Sequence, residues 1–288
     1  DEYNFAKNYN AGVSNLSAFI TMKERYGKLT LESTSLLNHN TRFDNEYVFA
    51  DALEYRPDAK LTLYGSVQRI YSVPTLDELF YNNYNRDSDG TFKIRGNPGL
   101  QPEKGLKWNG GIRYKPNQRT TLGANAFISH INNPIVWYRD AGIWTPKNME
   151  SQNKDGIQLT YEEQFSPKYS LSASYAWTRT DTTYGGDIDP QYTDEVAPHT
   201  FKTGLTYKDA RWTNSLLFVS QWGRDRGWYT GNSHTLDANF NYRFNAHWSS
   251  YLKLRNLLDE SYEDVGSRTL GDCPAYGRTA LLGFICQF

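Results

Sequence analysis

The chain has 288 residues, room for one large or two ordinary domains, with a formal net charge of −1 and a pI near 6.6. Such a charge creates no overall field to attract nucleic acid or anionic lipid. Aromatic residues make up 15% of the chain, yet its mean hydropathy is −0.73. A soluble enzyme this polar would not expose so many rings, whereas a protein with a polar interior and an apolar exterior has this composition naturally.

The lengths of two stretches argue against a membrane-spanning helix and against a disulfide within this chain. The longest apolar runs, such as Ala280 to Cys286, are strand-sized and far shorter than the roughly 18 residues of a spanning helix. Cys273 and Cys286 are separated by mostly strand-like sequence, too extended for the Cα separation of a disulfide. We therefore expect both cysteines to be unpaired within this chain.

Thirteen strand-like segments follow one another at nearly even spacing. They are predicted at 15–26, 29–38, 46–55, 60–71, 105–115, 119–131, 156–165, 168–180, 199–207, 211–222, 233–243, 247–257 and 277–288. Residues 1–14 are predicted to be a loop or a frayed strand. The only helical signal is one turn at Thr75–Phe80.

The connections between these segments alternate in length. Pro, Asn, Asp and Gly mark tight turns at 26–28, 56–59, 115–118, 165–167, 208–210 and 244–246. Between them lie longer loops at 39–46, 72–104, 132–155, 181–198, 223–232 and 258–276. Tight turns at one end of the strands and long loops at the other are typical of outer-membrane barrels.

The two faces of the strands differ in polarity. In 169–180, Leu171, Tyr175 and Trp177 share one face while serines occupy the other. We assign the apolar face to lipid and the polar face to a wet lumen, giving an all-β, antiparallel transmembrane barrel. Rings near strand ends are typical of interfacial girdles; they are Tyr55, Tyr114, Tyr161, Tyr207, Trp212, Tyr242 and Trp248. The alternative is a soluble β-sandwich or barrel whose core is the apolar face, but its strands are usually shorter.

Three motifs carry a resemblance to a known family. The stretch 97–104, with Asn97, Pro98, Leu100, Pro102 and Glu103, resembles the Asn-Pro-x-Leu-x-Pro-Glu box of TonB-dependent outer-membrane receptors. Upstream, Tyr71 to Phe80, with Pro74 and Leu76, is similar to a second family stretch, although Ser72 replaces the usual Arg. Near the C-terminus, Asn256 to Tyr262 and a strand ending in Phe288 resemble the family's last signature.

This resemblance covers essentially the whole chain. It implies that residues 1–288 form about the last thirteen strands of a barrel with about 22, and that the plug domain and the first strands are absent. An odd strand number and a bare sheet edge in lipid point the same way. We therefore expect a part of a longer receptor. The aromatic Phe288 resembles the address that is read by the barrel-assembly machinery, or is simply an apolar chain end.

Catalytic and metal sites are poorly supported. The five histidines have no metal-ligand spacing, and no nucleophile or phosphate-loop motif occurs, so we expect no enzyme activity and no cofactor. His199 with Asp194 is the best catalytic pair. The loop 85–90 matches half of a calcium loop but has Gly96 at the position of the bidentate Glu. This loop and the acidic cluster at 187–195 are more simply solvated loops.

Ligand contacts are predicted on rings and arginines in the long loops, because rings give broad contact area and arginines grip anions. The candidates are Phe80, Tyr81, Tyr84, Arg86, Trp137, Tyr138, Arg139, Trp144, Tyr184, Trp222, Trp228 and Tyr229. Each ring could instead serve girdle or loop packing. For the 97–103 box, pinning of the loop by its two prolines is favoured over direct ligand contact.

The resemblance implies a function for the whole receptor. Such receptors lie in the outer membrane of diderm bacteria, bind a scarce iron chelate or cobalamin, and import it with energy supplied by the TonB complex. Residues 75–96 contain no histidine, which disfavours heme, and the short loops look weakly more similar to cobalamin receptors. The expected partners are therefore outer-membrane lipid, the TonB complex and a small metal chelate or cobalamin, with no nucleic acid. The rival functions are a passive porin or structural barrel and, from a third class, a soluble carbohydrate-binding β-protein.

Overall fold

One antiparallel sheet dominates the structure. The computed structural model describes residues 11–82, 93–140, 142–183, 197–223, 232–262 and 275–288. Thirteen strands in these residues form a continuous up-and-down sheet. Its strands are β1 (Asn15–Tyr26), β2 (Leu29–Asn40), β3 (Asp44–Tyr55), β4 (Leu61–Ser72), β6 (Glu103–Tyr114), β7 (Thr120–Asn132), β10 (Ser151–Gln164), β11 (Tyr169–Thr183), β12 (His199–Lys208), β13 (Trp212–Trp222), β14 (Ser233–Arg243), β15 (Trp248–Arg255) and β16 (Thr279–Cys286).

The remaining elements lie in two of the long loops. Helix α1 (Leu76–Phe80) and the short strand β5 (Lys93–Ile94) belong to the loop between β4 and β6. Strands β8 (Ile135–Asp140) and β9 (Ile143–Asn148) form a hairpin between β7 and β10. No helix in the described stretches is long and apolar enough to cross a membrane.

The thirteen predicted segments are the thirteen strands of the sheet, and the predicted turn at Thr75–Phe80 is confirmed as α1. One boundary differs by five residues, because β10 begins at Ser151 rather than at residue 156. The stretch 132–155, predicted only as a long loop, contains the β8–β9 hairpin, which the sequence did not predict. Its alternation is interrupted by Pro134, Gly142 and Pro146, which hid the two short strands.

The apolar face of the sheet is exposed. Directly paired residues of an antiparallel ladder share a face, so the register carries this face from strand to strand, as in Leu171↔Leu205 and Leu205↔Leu216. On it, Leu282 is 63% exposed and Phe284 64%. Leu236 is half-buried and Phe240 is exposed, so these side chains form no compact core. The soluble-core alternative is therefore excluded, and the exposed apolar surface requires a nonaqueous surrounding.

A row of rings lines the apolar face at the short-turn ends of the strands. The register places there Tyr26, Tyr55, Tyr114, Tyr161, Tyr169, Tyr207, Trp212, Tyr242 and Trp248. Neighbouring rings touch, with centroids 4.5 Å apart for Trp212 and Tyr242 and 4.9 Å for Tyr169 and Tyr207. A row of Tyr and Trp rings at one level is typical of a membrane–water interface, where these amphipathic rings are enriched.

The sheet has two edges in the described residues, β1 and β16, each with one neighbouring strand. All twelve residues of β1 are exposed. Cys286, at the end of β16, is a free cysteine, whereas Cys273 lies outside the described residues.

A buried carboxylate bridges a gap between two strands. β3 and β4 pair only where Ala50–Tyr55 faces Leu63–Gln68. Beyond that ladder, Glu46 of β3 binds the Arg69 guanidinium of β4 and accepts a 2.5 Å bond from Lys104 Nζ of β6. Glu46 is only 8% exposed, so its charge is shielded from water and needs these two cations. The ion triad joins three strands where the backbone ladder stops.

Aromatic rings lie against glycines on the polar face. Tyr64 faces Gly111 across the β4–β6 ladder, Phe127 faces Gly156, and Tyr251 faces Gly283. A Cβ built on Gly111 would overlap the Tyr64 ring and lie 2.6 Å from the Ala124 carbonyl oxygen. An aromatic ring laid over a cross-strand glycine covers the exposed backbone. These glycines are therefore required by close contact.

We expect Gly111→Ala to destabilise the sheet by about 1–3 kcal/mol, because both the Tyr64 ring and the Ala124 backbone must shift. The adjacent Gly110→Ala is the matched control, since its nearest atom would be the Tyr64 carbonyl oxygen at 3.7 Å. Urea unfolding in lipid vesicles measures both. Equal midpoints for the two variants would contradict the ring-over-glycine assignment.

The short turns are held by side-chain caps. In the turn between β12 and β13, Asp209 accepts from the Tyr207 hydroxyl at 2.6 Å and from the backbone N–H groups of Trp212 and Arg211 at 2.8 Å each. The Tyr207 bond, followed by these two backbone bonds, lowers the pKa of Asp209 from 3.8 to about 2.

Because the pKa of Asp209 is lower in the folded state than in the unfolded state, the stability that its hydrogen bonds contribute depends on pH. It is present above the unfolded pKa of 3.8 and lost as pH falls towards about 2. We expect Asp209→Asn, which keeps one acceptor oxygen but does not titrate, to show a flatter loss of stability over that window. Unfolding midpoints measured between about pH 5 and pH 2 test this. Parallel curves for the two proteins would show that Asp209 does not contribute.

Candidate functional site

Two long loops fold together into one structure, called the loop layer below. It consists of α1, β5, residues 95–102 and the β8–β9 hairpin. β5 pairs in parallel with β9 through Lys93↔Ile143 and Ile94↔Trp144, so a strand of the first loop extends the hairpin of the second. Asn82 and Arg95 form a further bridge. The two loops therefore present one surface at the long-loop end of the sheet.

The loop layer has a small apolar core. Leu79 is 0% exposed, Leu100 1%, Met149 2% and Trp144 5%. These are four of the six buried hydrophobic residues in the part of the chain that the structure describes. Burial of each such side chain contributes roughly 1.5–3 kcal/mol. The most completely buried apolar side chains of the described residues are thus concentrated in these loops.

The 97–103 box fastens this core. Asn97 Oδ1 accepts from the Gly99 N–H at 2.9 Å, while Asn97 Nδ2 donates to the Pro146 carbonyl at 3.1 Å. The Asn97 N–H donates to the Glu78 carbonyl of α1 at 2.7 Å. Pro98 is exposed, whereas Leu100 and Pro102 are buried. These contacts support the structural role predicted for the box.

Two further side chains join the loops. Asn148 Oδ1 accepts from the Gln101 N–H at 2.8 Å, and its Nδ2 donates to the carbonyls of Gln101 at 2.9 Å and Asn133 at 2.8 Å. Glu103 Oε1 accepts from the Ile135 N–H at 2.7 Å. Sequence reasoning missed Asn148, because nothing local distinguishes it from other loop asparagines.

Helix α1 is short but well capped. The Thr75 hydroxyl accepts from the Glu78 N–H at 3.2 Å, and Glu78 Oε2 accepts from the Thr75 N–H at 2.7 Å, forming a capping box. Pro74 is buried just before it, and Leu76 is half-buried. The helix directs Leu79 into the loop core.

The predicted ligand residues fall into three groups. Phe80, Tyr81, Trp137 and Tyr138 lie in the loop layer and are half-buried, so part of each ring is accessible. Trp144 packs in the core, and Trp222 is half-buried on the apolar face, stacked on His199 at 5.2 Å. Outside the described residues lie Tyr84, Arg86, Tyr184, Trp228, Tyr229 and the side chain of Arg139. Ligand contact remains a prediction for all of them.

Cations that the sequence did not single out lie against these rings. Lys147 Nζ is 4.3 Å from the Tyr138 ring centroid and 3.2 Å from the Tyr138 hydroxyl. The Arg42 guanidinium lies 5.1 Å from the Phe80 ring centroid, and it also donates to the Pro98 carbonyl at 2.5 Å. Rings beside cations form a surface suited to a flat, anionic molecule.

The polar face carries a second cationic region at the short-turn end. A cavity of about 710 Å³ there is lined by side chains of β1 to β4 and β6. Its cations are Lys23, Arg25, Lys28, Arg56 and Arg113, opposed by Glu24, Glu32 and Glu54. Two of these cations are paired, Lys23 with Glu32 and Arg56 with Glu54, each at 2.7 Å, so the lining carries an excess of positive charge over paired ions.

Metal coordination finds no support in the described ranges, where no group of three or more His, Cys, Asp or Glu residues could hold an ion. The calcium-like loop 85–90, the acidic cluster 187–195 and Asp194 lie outside those ranges. His199 Nδ1 instead pairs with the Tyr175 hydroxyl at 2.8 Å.

The C-terminal signature has a visible structural role at Asn256. This residue adopts φ of 50°, is 4% exposed, and donates to the carbonyls of Glu260 at 2.8 Å and Tyr276 at 3.2 Å. Asn is one of the few residues that adopts this left-handed conformation readily. Asn256 thus ties the start of the last long loop to its end. Phe288 is fully exposed beyond β16.

We expect Asn148→Ala to loosen the loop layer by about 1–3 kcal/mol, because it removes the three hydrogen bonds that link the hairpin to Gln101 and Asn133, each contributing roughly 0.5–1.5 kcal/mol. Asn125→Ala is the matched control, since Asn125 Oδ1 is buried without a hydrogen-bond partner in the described residues. Hydrogen exchange should accelerate at residues 95–102 in the first variant only. Unchanged exchange in Asn148→Ala would contradict this linkage.

Comparisons with known proteins give the family. The family model described as TonB dependent receptor-like, beta-barrel matches residues 7–257. Similar solved structures include the copper transporter OprC (17% identity, TM-score 0.77, 96% of this chain and 48% of that chain). They also include the siderophore receptor PirA from Pseudomonas aeruginosa (16%, 0.74, 96% and 48%) and the ferric-catecholate import receptor Fiu from E. coli K12 (14%, 0.70, 96% and 45%). The chain therefore spans about half the length of these structures, and it belongs to the TonB-dependent receptor β-barrel family.

Proposed function

We propose that this chain forms part of the wall and ligand-binding loops of an active-transport receptor in the bacterial outer membrane. The receptor would bind a scarce metal chelate outside and import it with energy from the TonB complex. The observation that carries this proposal is the family match over residues 7–257. Transport rather than catalysis is the activity proposed.

Ferric siderophores are the substrate class we place first. PirA is described as a siderophore receptor and PfeA as the ferric enterobactin receptor, and both resemble this fold. The Tyr138 ring beside the Lys147 ammonium in the loop layer supports a flat anionic ligand. Cobalamin is a second candidate from the motif resemblance. Copper belongs in the test because of the likeness to OprC.

The function is tested on the full gene product, purified in detergent. Binding of ferric enterobactin, other ferric siderophores, cobalamin and Cu²⁺ is measured by titration, and uptake is measured in cells with and without TonB. We expect one ligand to bind and its uptake to require TonB. Binding of none of them would contradict the uptake proposal.

The porin alternative predicts a different result. A passive barrel would pass small solutes without TonB and would conduct ions steadily in a planar bilayer. Uptake that persists at full rate without TonB would therefore favour the porin and overturn active transport.

The ligand surface has its own prediction. We expect Trp137→Ala to weaken binding of the identified ligand by about tenfold, as for an aromatic residue at the centre of an interface. Trp108→Ala is the control, because Trp108 is 56% exposed on the apolar face of the sheet and cannot reach a ligand in the loops. Equal affinities of the two variants would remove Trp137 from the site.

A further inference from the structure

The β8–β9 hairpin of the loop layer has two edges, and the edge formed by β9 is closed. There the Trp144 carbonyl accepts from the Arg95 N–H at 2.8 Å, and the Pro146 carbonyl accepts from Asn97 Nδ2 at 3.1 Å. Pro146 has no backbone N–H that could be left unpaired. The loop between β4 and β6 therefore covers this edge.

The register identifies the groups that point out of the opposite edge, on β8. The Met149 N–H donates to the Pro134 carbonyl at 2.8 Å, so Pro134 and Met149 form a hydrogen-bonded pair of the hairpin. In an antiparallel ladder such pairs alternate with pairs whose N–H and C=O groups point outward. Counted from Pro134, the outward residues of β8 are Ile135, Trp137 and Arg139. The outward carbonyls of β9 fit the same alternation.

The first of these three positions is capped, and the next two are open. The Ile135 N–H donates to Glu103 Oε1 at 2.7 Å. Within the described stretches, the backbone N–H and C=O groups of Trp137 and Arg139 have no hydrogen-bond partner, and β9 is the only strand that pairs with β8. A sheet edge with open donors and acceptors is a template for a further strand.

The open edge is short and is bounded at both ends. Glu103 ends it at Ile135, and the turn after Asp140, where Gly142 has φ of 87°, ends it on the other side. The residues between these limits, 136–139, span about 13 Å at roughly 3.3 Å per residue. This length fits an extended peptide of about three to five residues better than a long strand of a folded domain.

The side chains beside the open edge favour an acidic peptide. Val136 and Tyr138 lie on one face of β8, because they are two residues apart. Lys147 Nζ lies 4.3 Å from the Tyr138 ring centroid. A strand added next to β8 places every second side chain on this face. A carboxylate at such a position would meet the Lys147 ammonium and the Tyr138 hydroxyl, and contacts of this charge-assisted kind are strong.

We propose that the β8 edge binds a short, extended peptide with an acidic side chain, which adds a fourth strand to the β5–β9–β8 sheet. Main-chain hydrogen bonds to Trp137 and Arg139 supply the affinity, and the face with Tyr138 and Lys147 supplies the selectivity. The same sheet already grows by strand addition on its other edge, where β5 pairs with β9. The site depends on the backbone of the hairpin and is independent of the chelate that the receptor imports.

The first test uses the pentapeptide acetyl-Thr-Val-Glu-Val-Thr-amide, titrated by calorimetry into the full gene product in nonionic detergent. An added strand bonds to its neighbour through every second residue. N-methylation of one alternate set of peptide residues should therefore weaken binding at least about tenfold, whereas methylation of the other set should change it by less than about threefold. Equal effects of the two sets, or no binding of the parent peptide, would overturn the proposal.

Two variants at one position separate the backbone from the side chain. Trp137→Pro removes the outward N–H but no bond to β9, because proline is tolerated on an edge strand whose N–H faces solvent. Trp137→Ala loses the same ring and keeps the N–H. We expect Trp137→Pro to bind the peptide at least about tenfold more weakly than Trp137→Ala. Equal affinities, with unchanged hydrogen exchange at residues 143–148 as proof of an intact hairpin, would exclude an added strand.

The charge preference is measured with a second peptide, in which Lys replaces Glu. We expect it to bind about fivefold more weakly than the Glu peptide, and we expect Lys147→Gln to abolish this difference. A Lys peptide that binds the parent receptor as well as the Glu peptide would refute the acidic selectivity.

Hydrogen exchange identifies what occupies the edge. With saturating peptide, the amides of Trp137 and Arg139 should exchange at least about tenfold more slowly, while those of Val136 and Tyr138, which bond to β9, should not change. Protection of Trp137 without peptide would show that another loop of the receptor covers the edge. Protection that grows with receptor concentration would show that a second copy covers it. Either result would overturn the proposal, and neither depends on chelate binding.

Discussion

The constraint on which the structure depends is that one sheet meets two solvents. Hydrocarbon offers no partner for a backbone N–H or C=O, so every strand crossing it must be paired along its whole length. The twelve to fifteen residues of β1, β2 and β11 provide this length, and a ladder such as that between β1 and β2, which pairs all twelve residues, satisfies the backbone. Side chains then alternate between oil and water because the strand repeat is two. Composition, register and the exposed Leu282 and Phe284 all follow from this constraint.

At the long-loop end, where water is available, side chains rather than backbone ladders hold the chain together. Beyond the ladder between β3 and β4, the ion triad of Glu46, Arg69 and Lys104 replaces backbone pairing. Further out, polar backbone can be satisfied by side chains, and Asn97 and Asn148 bond to the carbonyls and N–H groups of the opposing loop. Four of the five largest fully buried side chains of the described residues accordingly lie in these loops; they are Leu79, Leu100, Pro146 and Met149. The wall thus holds loops that are joined to each other by their own buried side chains and hydrogen bonds.

The apolar face is not uniform along its height. Rings form a row at the short-turn end, whereas the long-loop end combines imidazoles and cations with further rings such as Trp222. The polar face is also divided, with the cations Lys23, Arg25 and Arg113 gathered near the short turns. On both faces, the composition at the short-turn end of the sheet therefore differs from that at the long-loop end.

The sequence by itself determined the thirteen strands, their two faces and the turn at α1. Side-chain alternation and tight-turn residues are local signals, because each depends only on residues that are close together in the chain. It did not reveal the β8–β9 hairpin, whose six-residue strands are interrupted by proline and glycine and are stabilised by pairing with β5, some fifty residues away. Nor did it distinguish Trp144, buried in the loop core, from the half-buried Trp137 in the same hairpin. The ion triad of three strands and the contacts between rings and glycines join residues that are distant in sequence. The packing that buries a side chain does the same. Only the tertiary structure decided them, because the partner that gives each its role lies on another strand.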